Sequence, residues 1–592
     1  MSPFQSVASS LQCGAKATPA HSLQPNAPMR AGRCLSILAL LLAILCYGSL
    51  IRFSSLSFIL AQVALAGLLI WNRRLPLYLL AAGLFLFGNQ PAEFHTLGPL
   101  KLHMWFVDMT LWMVVGVWLA GRIRKGLSPV VRSPITIWLI LLWAAAVCSL
   151  LPYAREYGAH YAWAARVNPA DGSHNPGLFP DPMRAVFAFY QAIAYVPYWP
   201  PHALLDATLT LLFFFYLLDA WRTRQHRNRL LLCLCAGLCV SMLWGILDSL
   251  EIVSLEWFRT QRGSPLAFAK HSHRLQSFFS HAGWYAEYLA MLAPCLAVFA
   301  LAPAPSRNER RQSGSQLSVV SCQLSLLGSQ SSVLSPQSSA LSPQSSALST
   351  QSSALSAPWL RAAALGAFLV SPIAMLLTYQ RGGWYALLLS FLLAAGMSAV
   401  LYLRRPALRK WGLAVLVGSA LLIAAGGVAL WIGARNEQSP LAWRMKDAFR
   451  VGDRRDIWAS ALELSRRYPW GAGLGFYYLK HITEFPEWHP YRYVEQGTAH
   501  NHCLHVLVES GPFAVLCLLA VLLITSWRLT RAWWNSGSDY GRAAWTIGCL
   551  AVLAGWVLHG MVQYMAYIRV VDLMFYALLA FSMAETDEAS AS

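Results

Sequence analysis

The stretch TAHNHCLHVLVESGPFAVL, from Thr498 to Leu516, leads into an apolar run that we expect to cover residues 504–527. A run of this length can cross the ~30 Å hydrocarbon layer of a membrane as a helix. Similar runs recur along nearly the whole chain, which has 592 residues and is 57% hydrophobic and only 12% charged. Soluble proteins carry about 25% charged residues. The sequence therefore predicts an all-α fold, a polytopic helical membrane protein.

Apolar runs mark the expected transmembrane helices, of which we count about 14. Their approximate cores are 34–50, 55–71, 75–88, 103–121, 134–151, 204–221, 229–249, 283–303, 359–378, 383–403, 412–433, 504–527, 543–561 and 571–584. Short cationic loops alternate with the opposite side: Arg73–Arg74, Arg122 to Arg132, 221–229, 404–410 and Arg528 to Arg542. Because such loops remain in the cytoplasm, both termini are expected there and the long loops 152–203, 250–282 and 434–503 are expected outside.

The domain organisation follows from these spans. We expect a polar cytoplasmic N-terminus (1–33), N-terminal transmembrane helices with external loops near 152–203 and 250–282 (34–303), a Ser-rich cytoplasmic loop (304–358), further transmembrane helices (359–433), a large external loop (434–503), C-terminal transmembrane helices (504–584) and a tail (585–592). The Ser-rich loop repeats every seven residues, as in SSALSPQ. Its composition buries too little apolar surface to offset chain entropy, so disorder is predicted.

Charge and motifs narrow the function. The net charge of +19 is what cationic loops at a membrane produce, so we expect a lipid bilayer and no nucleic acid as a partner. No P-loop is present, which argues against ATP-driven transport. The external loop 434–503 nevertheless carries ten Lys or Arg residues. A cationic external loop favours an anionic ligand.

An amphipathic helix is predicted within this loop, in GDRRDIWASALELSRRYPWGAGLGFYY (452–478). Its apolar face is expected to hold Ile457, Trp458, Ala461, Leu462 and Ser465, flanked by Arg454, Arg455, Arg466 and Arg467. These arginines could meet lipid phosphates, or could bind a phosphate of a lipid-linked substrate through the planar guanidinium fork. The GAGLG turn that follows is not a nucleotide fingerprint, because no strand precedes it.

A further arginine, Arg381, lies between two spans in TYQRGGWYALLLSFLL (378–393). It could be an interfacial arginine whose head reaches the headgroup region. However, the two glycines after it allow another group to approach the backbone closely. A tight external turn is also an unusual position for a charge that sets topology.

Three histidines occupy the opening stretch. His500 is expected at the end of the external loop, and His502 and His505 in the first turns of the helix. A neutral imidazole at a membrane–water boundary can act as a general base near pH 7, so one of the three histidines could take a proton from a hydroxyl while the other two pack or form hydrogen bonds. Their spacing lacks the further ligands that zinc requires, so we predict neither a metal site nor a cofactor.

Together these motifs resemble the O-antigen ligase and polymerase family over about residues 270–525. The resemblance rests on His500-Asn501 followed, after nine intervening residues, by Gly511 and Ala514, on the 453–475 and 380–393 segments, and on RLQSFFSHAGWYAEYLAMLAP (274–294). Two positions depart from the pattern: Tyr385 stands where the family has Leu, and Ala514 replaces a Gly.

The resemblance implies a glycosyltransferase of the bacterial inner membrane whose active site faces the periplasm. It would move a glycan from undecaprenyl diphosphate to an acceptor hydroxyl on a lipid A-core sugar (ligase) or on a lipid-linked repeat (polymerase). By the same resemblance, His500, Arg381 and Arg454 would be catalytic. The expected substrate-binding residues are Arg455, which replaces Arg454 if the register shifts, Asn501, Arg274 and Arg466.

A polysaccharide transporter or flippase is the alternative from another class. Such a protein should carry ionisable residues near the middle of the membrane. In this sequence the notable ones are predicted to cluster at one face.

Overall fold

The chain is described here from a computed structural model. It describes residues 55–84, 91–93, 103–153, 200–255, 275, 277, 279, 282–301, 358–404, 406, 409–435, 454–485, 498–537, 539–565 and 569–591. The expected N-terminus (1–33), first span (34–50), Ser-rich loop (304–357) and Arg274 lie outside these residues. The chain divides into two compact units, 1–68 and 69–592. In the first unit the described part is the beginning of helix α1 (Ser55–Trp71).

Helices and one short strand pair make up the second unit. The first elements are α2 (Leu75–Ala82), β1 (Pro91–Glu93), β2 (His103–Trp105), α3 (Phe106–Arg124), α4 (Thr136–Leu150), α5 (Pro200–Ala220), α6 (Arg224–Ser249) and α7 (Ala282–Leu301). They are followed by α8 (Pro358–Leu377), α9 (Arg381–Leu403), α10 (Arg409–Arg435), α11 (Arg454–Arg467), α12 (Tyr477–Glu484), α13 (His502–Trp534), α14 (Tyr540–Gly560) and α15 (Arg569–Ala591).

The helical fold class is confirmed, with one small exception. Strands β1 and β2 pair antiparallel, with Pro91 opposite Trp105, where the sequence predicts only helices and loops. Within the described residues, six helices are long and apolar enough to cross a membrane: Thr136–Tyr153, Ala203–Ala220, His226–Ser249, Arg381–Leu403, His502–Trp534 and Tyr540–Gly560. The protein is therefore a multi-pass membrane protein, while the total of about 14 spans stays a prediction.

Helix α14 forms the centre of the bundle. The span Tyr540–Gly560 is 83% buried, against 22% for Thr136–Tyr153, so α14 is surrounded by protein. It packs against α7, α9 and α13. At its contact with α9, Gly555 lies against the backbone of Ala386 and the hydroxyl of Ser390. Small residues of this kind let two membrane helices approach closely.

The two ends of the bundle differ in the residues they gather. At one end, the Arg404 guanidinium after α9 lies 3.5 Å from the ring centroid of Trp534, at the end of α13. Arg528 of α13 pairs with Asp587 of α15 at 2.5 Å near this end. Since α9 and α13 run in the same direction, their first residues, Arg381 and His502, belong to the opposite end.

Candidate active site

A three-residue turn places Arg381 at the first position of α9. Helix α8 ends at Leu377, and the Thr378 hydroxyl donates to the Met375 carbonyl at 2.7 Å and accepts from the Gln380 amide at 3.2 Å. Tyr379 has a φ of +53°, a left-handed conformation that lets so short a turn reverse the chain. The guanidinium atom Nη1 of Arg381 is buried and has no hydrogen-bond partner within the part of the chain that the structure describes.

The glycine after Arg381 allows a close helix contact. A Cβ at Gly382 would lie 2.8 Å from Val562 Cγ2 and 3.1 Å from two ring atoms of His559, which lies in the last turn of α14. Only a residue without a side chain fits this gap. The predicted close approach is thereby confirmed, and its partner is a histidine that the sequence analysis did not select.

Arg454 begins α11 and lies near Arg381. Burial, and secondarily the positive charge of Arg381, lower the pKa of the Arg454 guanidinium. Arg454 also interacts electrostatically with His559. Because these interactions act only over short distances, the structure gathers both predicted catalytic arginines at one place, together with the imidazole of His559.

The other arginines of α11 point elsewhere. Arg455 is exposed, and Arg466 is exposed as well, 3.6 Å from Glu463. Arg467 pairs with Glu463 and Glu484. The substrate-binding roles of Arg455 and Arg466 stay predictions, and Arg454 is the arginine of this helix that lies near Arg381.

The buried face of α11 differs in part from the predicted one. Its buried residues are Ile457, Ser460, Ala461 and Leu464, spaced as one face of a helix requires. The prediction is confirmed for Ile457 and Ala461 and wrong for Leu462, which is 43% exposed. Ser460 is buried because its hydroxyl donates to the Ile457 carbonyl and bonds His481 Nε2 at 2.7 Å.

His500 immediately precedes the helix cap of α13. Its backbone φ of +45° is unusual for a residue other than glycine. Its Nδ1 lies 2.8 Å from Oε1 of Gln563. Because an amide oxygen only accepts hydrogen bonds, Nδ1 carries the proton and Nε2 is the basic nitrogen. This tautomer is the one a general base needs.

Asn501 links His500 to the same neighbouring segment. Its Oδ1 accepts from the Leu504 amide at 3.0 Å and caps α13, and its Nδ2 donates to the Met561 carbonyl at 3.0 Å. Helix N-termini need such a cap because their first amides have no partner within the helix. These bonds make Asn501 a residue that positions His500, and its predicted substrate contact stays a prediction.

His502 and His505 have separate surroundings. His505 Nδ1 accepts from the Ala499 amide at 3.3 Å, and its Nε2 lies 3.2 Å from Glu509 Oε1. His502 packs with ring centroids 4.8 Å from Trp556 and 5.3 Å from Tyr564. The prediction that these two are packing or hydrogen-bonding residues is confirmed.

A kink in α13 holds the glycine-rich turn beside the histidines. Pro512 has no amide hydrogen to donate to Val508, four residues earlier. The amide of Ala472 donates to that Val508 carbonyl at 2.6 Å, and Gly473 donates to the next carbonyl, of Glu509, at 3.0 Å. A Cβ at Gly471 would lie 2.5 Å from the Glu509 oxygen. The GAGLG turn therefore fixes the C-terminal end of α11 against α13.

His559 and Gln563 are the residues that sequence reasoning missed. Both fall where α14 ends, within the stretch VLHGMVQYM (557–565). His559 is 4% exposed, and its Nδ1 has no hydrogen-bond partner among the described residues. The available signal was the presence of two polar side chains at the end of an apolar span. A hydropathy profile uses such residues only to mark where the span ends, so it did not identify them as site residues.

Comparison with known proteins supports the resemblance. Residues 366–519 match the family model described as O-antigen ligase, about a quarter of the chain. The matched region includes Arg381, Arg454 and His500 and ends before His559 and Gln563. This part of the chain is thus similar to O-antigen ligases. No curated protein gave a match.

Proposed function

We propose that this protein is a membrane glycosyltransferase that moves a glycan from undecaprenyl diphosphate to an acceptor sugar hydroxyl on the periplasmic side. We favour the ligase reaction, with a lipid A-core sugar as the acceptor, because the matched family model is described as O-antigen ligase. Polymerisation of lipid-linked repeats is the related reaction that the experiment below distinguishes. The proposal assigns His500 as general base and Arg381 and Arg454 as diphosphate-binding residues.

The observation that carries the proposal is a pair of neighbouring guanidinium groups that receive no carboxylate counter-ion from the described residues. Among the described residues, neither Arg381 nor Arg454 forms an ion pair with a carboxylate. Two like charges withdrawn from water destabilise each other unless an anion joins them. A diphosphate, with several oxygen acceptors, fits the planar forks of two arginines.

Other buried arginines of this chain are neutralised, which makes the contrast informative. Arg227 pairs with Glu585 at 2.6 Å, and both side chains are almost fully buried. Arg569 pairs with Asp108 at 2.5 Å. Where burial serves stability, this protein supplies a carboxylate. At Arg381 and Arg454 the counter-ion is left to a ligand.

The proposed reaction uses the two halves of the site separately. Nε2 of His500 takes the proton of the acceptor hydroxyl while the hydroxyl oxygen forms a bond to the anomeric carbon of the donor glycan. The bond between that carbon and the diphosphate oxygen breaks, and undecaprenyl diphosphate leaves with the bonding electrons. Arg381 and Arg454 stabilise the negative charge that develops on it. The diphosphate is already a good leaving group, so no nucleotide is needed.

The position of the site at one end of the bundle supports an active site that faces the periplasm. Arg381, His500 and His559 share one end, while Arg404, Arg528 and Arg542 lie towards the other. Cationic residues remain on the cytoplasmic side of a membrane. The catalytic end then faces the periplasm, where lipid-linked glycans of the outer leaflet are accessible.

The test is a transfer assay with purified protein in liposomes containing a lipid-linked oligosaccharide and a lipid A-core acceptor. We expect glycosylated acceptor and free undecaprenyl diphosphate in equal amounts, and no product from His500→Ala at normal protein level. Full activity of His500→Ala would remove the general-base role.

A gene deletion separates the two acceptors. Core without long chains, with lipid-linked polymer accumulating, indicates a ligase, whereas accumulated single repeat units indicate a polymerase. Loss of long chains together with lipid-linked glycan trapped on the cytoplasmic leaflet would support a flippase instead.

A further inference from the structure

A cavity lies beside His502 and His505. It has a volume of about 170 Å³ and lies between α4, α5, α13 and α15, with Leu474 and Gly475 of the glycine-rich turn in its wall. We call it the acidic cavity and define it by Asp206, Thr210, Glu509, Arg569 and Asp572. Its lining residues His502 and Tyr564 follow His500 by two positions and Gln563 by one position in the chain.

The acidic cavity differs in its chemistry from the diphosphate-binding arginines. Arg569 lies 2.5 Å from Asp108 and 2.9 Å from Asp572, and donates to the Thr210 hydroxyl at 2.7 Å. Asp206 also interacts electrostatically with Arg569. Carboxyl groups therefore outnumber the guanidinium, which is already paired with Asp108. An anion would lose its hydration in this buried cavity without gaining a free cation from the residues that line it, so the cavity favours a neutral ligand with hydrogen-bonding groups.

Buried polar atoms without partners point to such a ligand. The His502 side chain lines the cavity and is 6% exposed, and its Nδ1 makes no hydrogen bond with any described residue. Arg569 Nη2 is likewise buried and lacks a partner there. An unsatisfied buried polar atom costs about 1–3 kcal/mol. Hydroxyl groups, which both donate and accept, could satisfy an imidazole nitrogen, a guanidinium and a carboxylate at once.

Aromatic rings complete the wall. Trp143, Trp556 and Tyr564 line the same cavity. A sugar ring presents apolar C–H groups on its faces and hydroxyls around its edge, so aromatic rings bind the face while carboxylates bind the edge. The volume suits one pyranose ring and not an oligosaccharide.

We propose that the acidic cavity binds one neutral sugar residue of the glycan that takes part in the reaction. This assignment rests on the proposed function, because it names the sugar-binding part of the same site. The sugar could belong to the acceptor or be the first residue of the donor glycan. Both present the same hydroxyl chemistry to Asp206 and His502.

Saturation-transfer NMR on the full-length protein in nanodiscs tests the assignment. The probes are the methyl glycosides of glucose, galactose and N-acetylglucosamine, with methyl glucuronide as an anionic member. We expect at least one neutral glycoside to bind at least about tenfold more tightly than the glucuronide, whose charged group would be buried there without a free counter-ion.

Two substitutions on α5 form a matched pair. Ala207→Phe fills the cavity that Ala207 lines, whereas Leu205, 36% exposed on the same helix, points away. Glycoside binding should be lost in Ala207→Phe and kept in Leu205→Phe. Asp206→Asn, which preserves shape, should weaken binding about tenfold and covers the case that Ala207→Phe does not fold. Binding that survives both cavity variants, or no binding by any neutral glycoside, would overturn the proposal.

A diphosphate probe keeps this inference distinct from the proposed function. Methylenediphosphonate should bind the wild type and Ala207→Phe equally, and should be lost in Arg454→Lys. If it fails to bind while glycosides bind, the diphosphate role falls and the sugar site stands.

The same probes identify the source of the sugar. Independent binding of glycoside and diphosphonate indicates an acceptor sugar. A glycosyl diphosphate that loses affinity in both Ala207→Phe and Arg454→Lys indicates the donor.

Discussion

His500 and Gln563 are 63 positions apart in the chain, and a hydrogen bond of 2.8 Å joins His500 Nδ1 to Gln563 Oε1. This bond sets the imidazole tautomer and connects the start of α13 to the segment after α14. A nearby hydrogen bond from Asn501 Nδ2 to the Met561 carbonyl also connects the start of α13 to this segment. The position of the proposed base therefore depends on a segment outside its own motif.

Gln563→Leu should lower kcat about tenfold or more, because the imidazole loses the acceptor that orients it. Gln563→Glu should retain activity and move the acidic limb of the pH–rate profile to higher pH, since a carboxylate favours the protonated imidazole. The measurement is the transfer rate between pH 5 and 9. Identical profiles for all three proteins would show that Gln563 does not orient the base.

Arg381→Lys and Arg454→Lys should each reduce kcat strongly, because a point charge does not replace the bidentate fork. Arg454→Ala, which removes the charge altogether, should reduce kcat by about 10²-fold or more. Arg467→Lys is the matched control on α11, where the side chain pairs with Glu463 and Glu484. Equal activity of all three lysine variants in the liposome assay would contradict diphosphate binding by the arginines.

Gly382→Ala should reduce both activity and thermal stability, because its Cβ would lie 2.8 Å from Val562 and 3.1 Å from His559. Overpacking of this kind costs about 1–3 kcal/mol. Gly396→Ala on the same helix is the control, since nothing lies within 4 Å of its Cβ. Melting curves and transfer rates of the two variants should differ. Similar values would show that α9 and α14 can separate without cost.

Pro512→Ala should reduce activity with little change in melting temperature. The new amide can donate to the Val508 carbonyl, in competition with Ala472, and so release the glycine-rich turn. Hydrogen exchange should rise at residues 471–475. Pro372→Ala, a proline inside α8, is the control and should leave exchange there unchanged. Unaltered exchange in Pro512→Ala would mean that the turn does not depend on the kink.

The contact between α11 and α12 should weaken in acid. A hydrogen bond from the Tyr468 hydroxyl, together with Arg467, lowers the pKa of Glu484. A lowered folded pKa gives stability that is complete above the ordinary glutamate pKa and is lost as pH falls through the folded value. Protection of the α12 amides against hydrogen exchange, corrected for the intrinsic effect of pH on exchange, should therefore fall below about pH 4, and Glu484→Gln should show the lower protection already at pH 7. No change in the variant would exclude this pair as the cause.

Much of the architecture could be predicted from the sequence. Apolar run length is a local property, so the helical membrane class and helices such as α9 and α13 follow from composition and spacing. The glycines after Arg381 predicted a close approach, while only the resemblance to a known family selected His500 from the three histidines. The buried face of α11 was predicted less well. The prediction chose Leu462 because it is apolar, whereas the spacing of the helix buries the polar Ser460.

The partners of those residues were decided only by the tertiary structure. Which helix ends meet depends on how α9, α13 and α14 cross and on the kink at Pro512, and these are properties of packing between segments distant in the chain. Hydropathy therefore gave no sign that His559 and Gln563 stand beside Arg381 and His500. Hydropathy also could not show which of Arg454 and Arg455 faces the site. Neighbouring residues of a helix point in different directions, so one can face the protein while the next faces solvent.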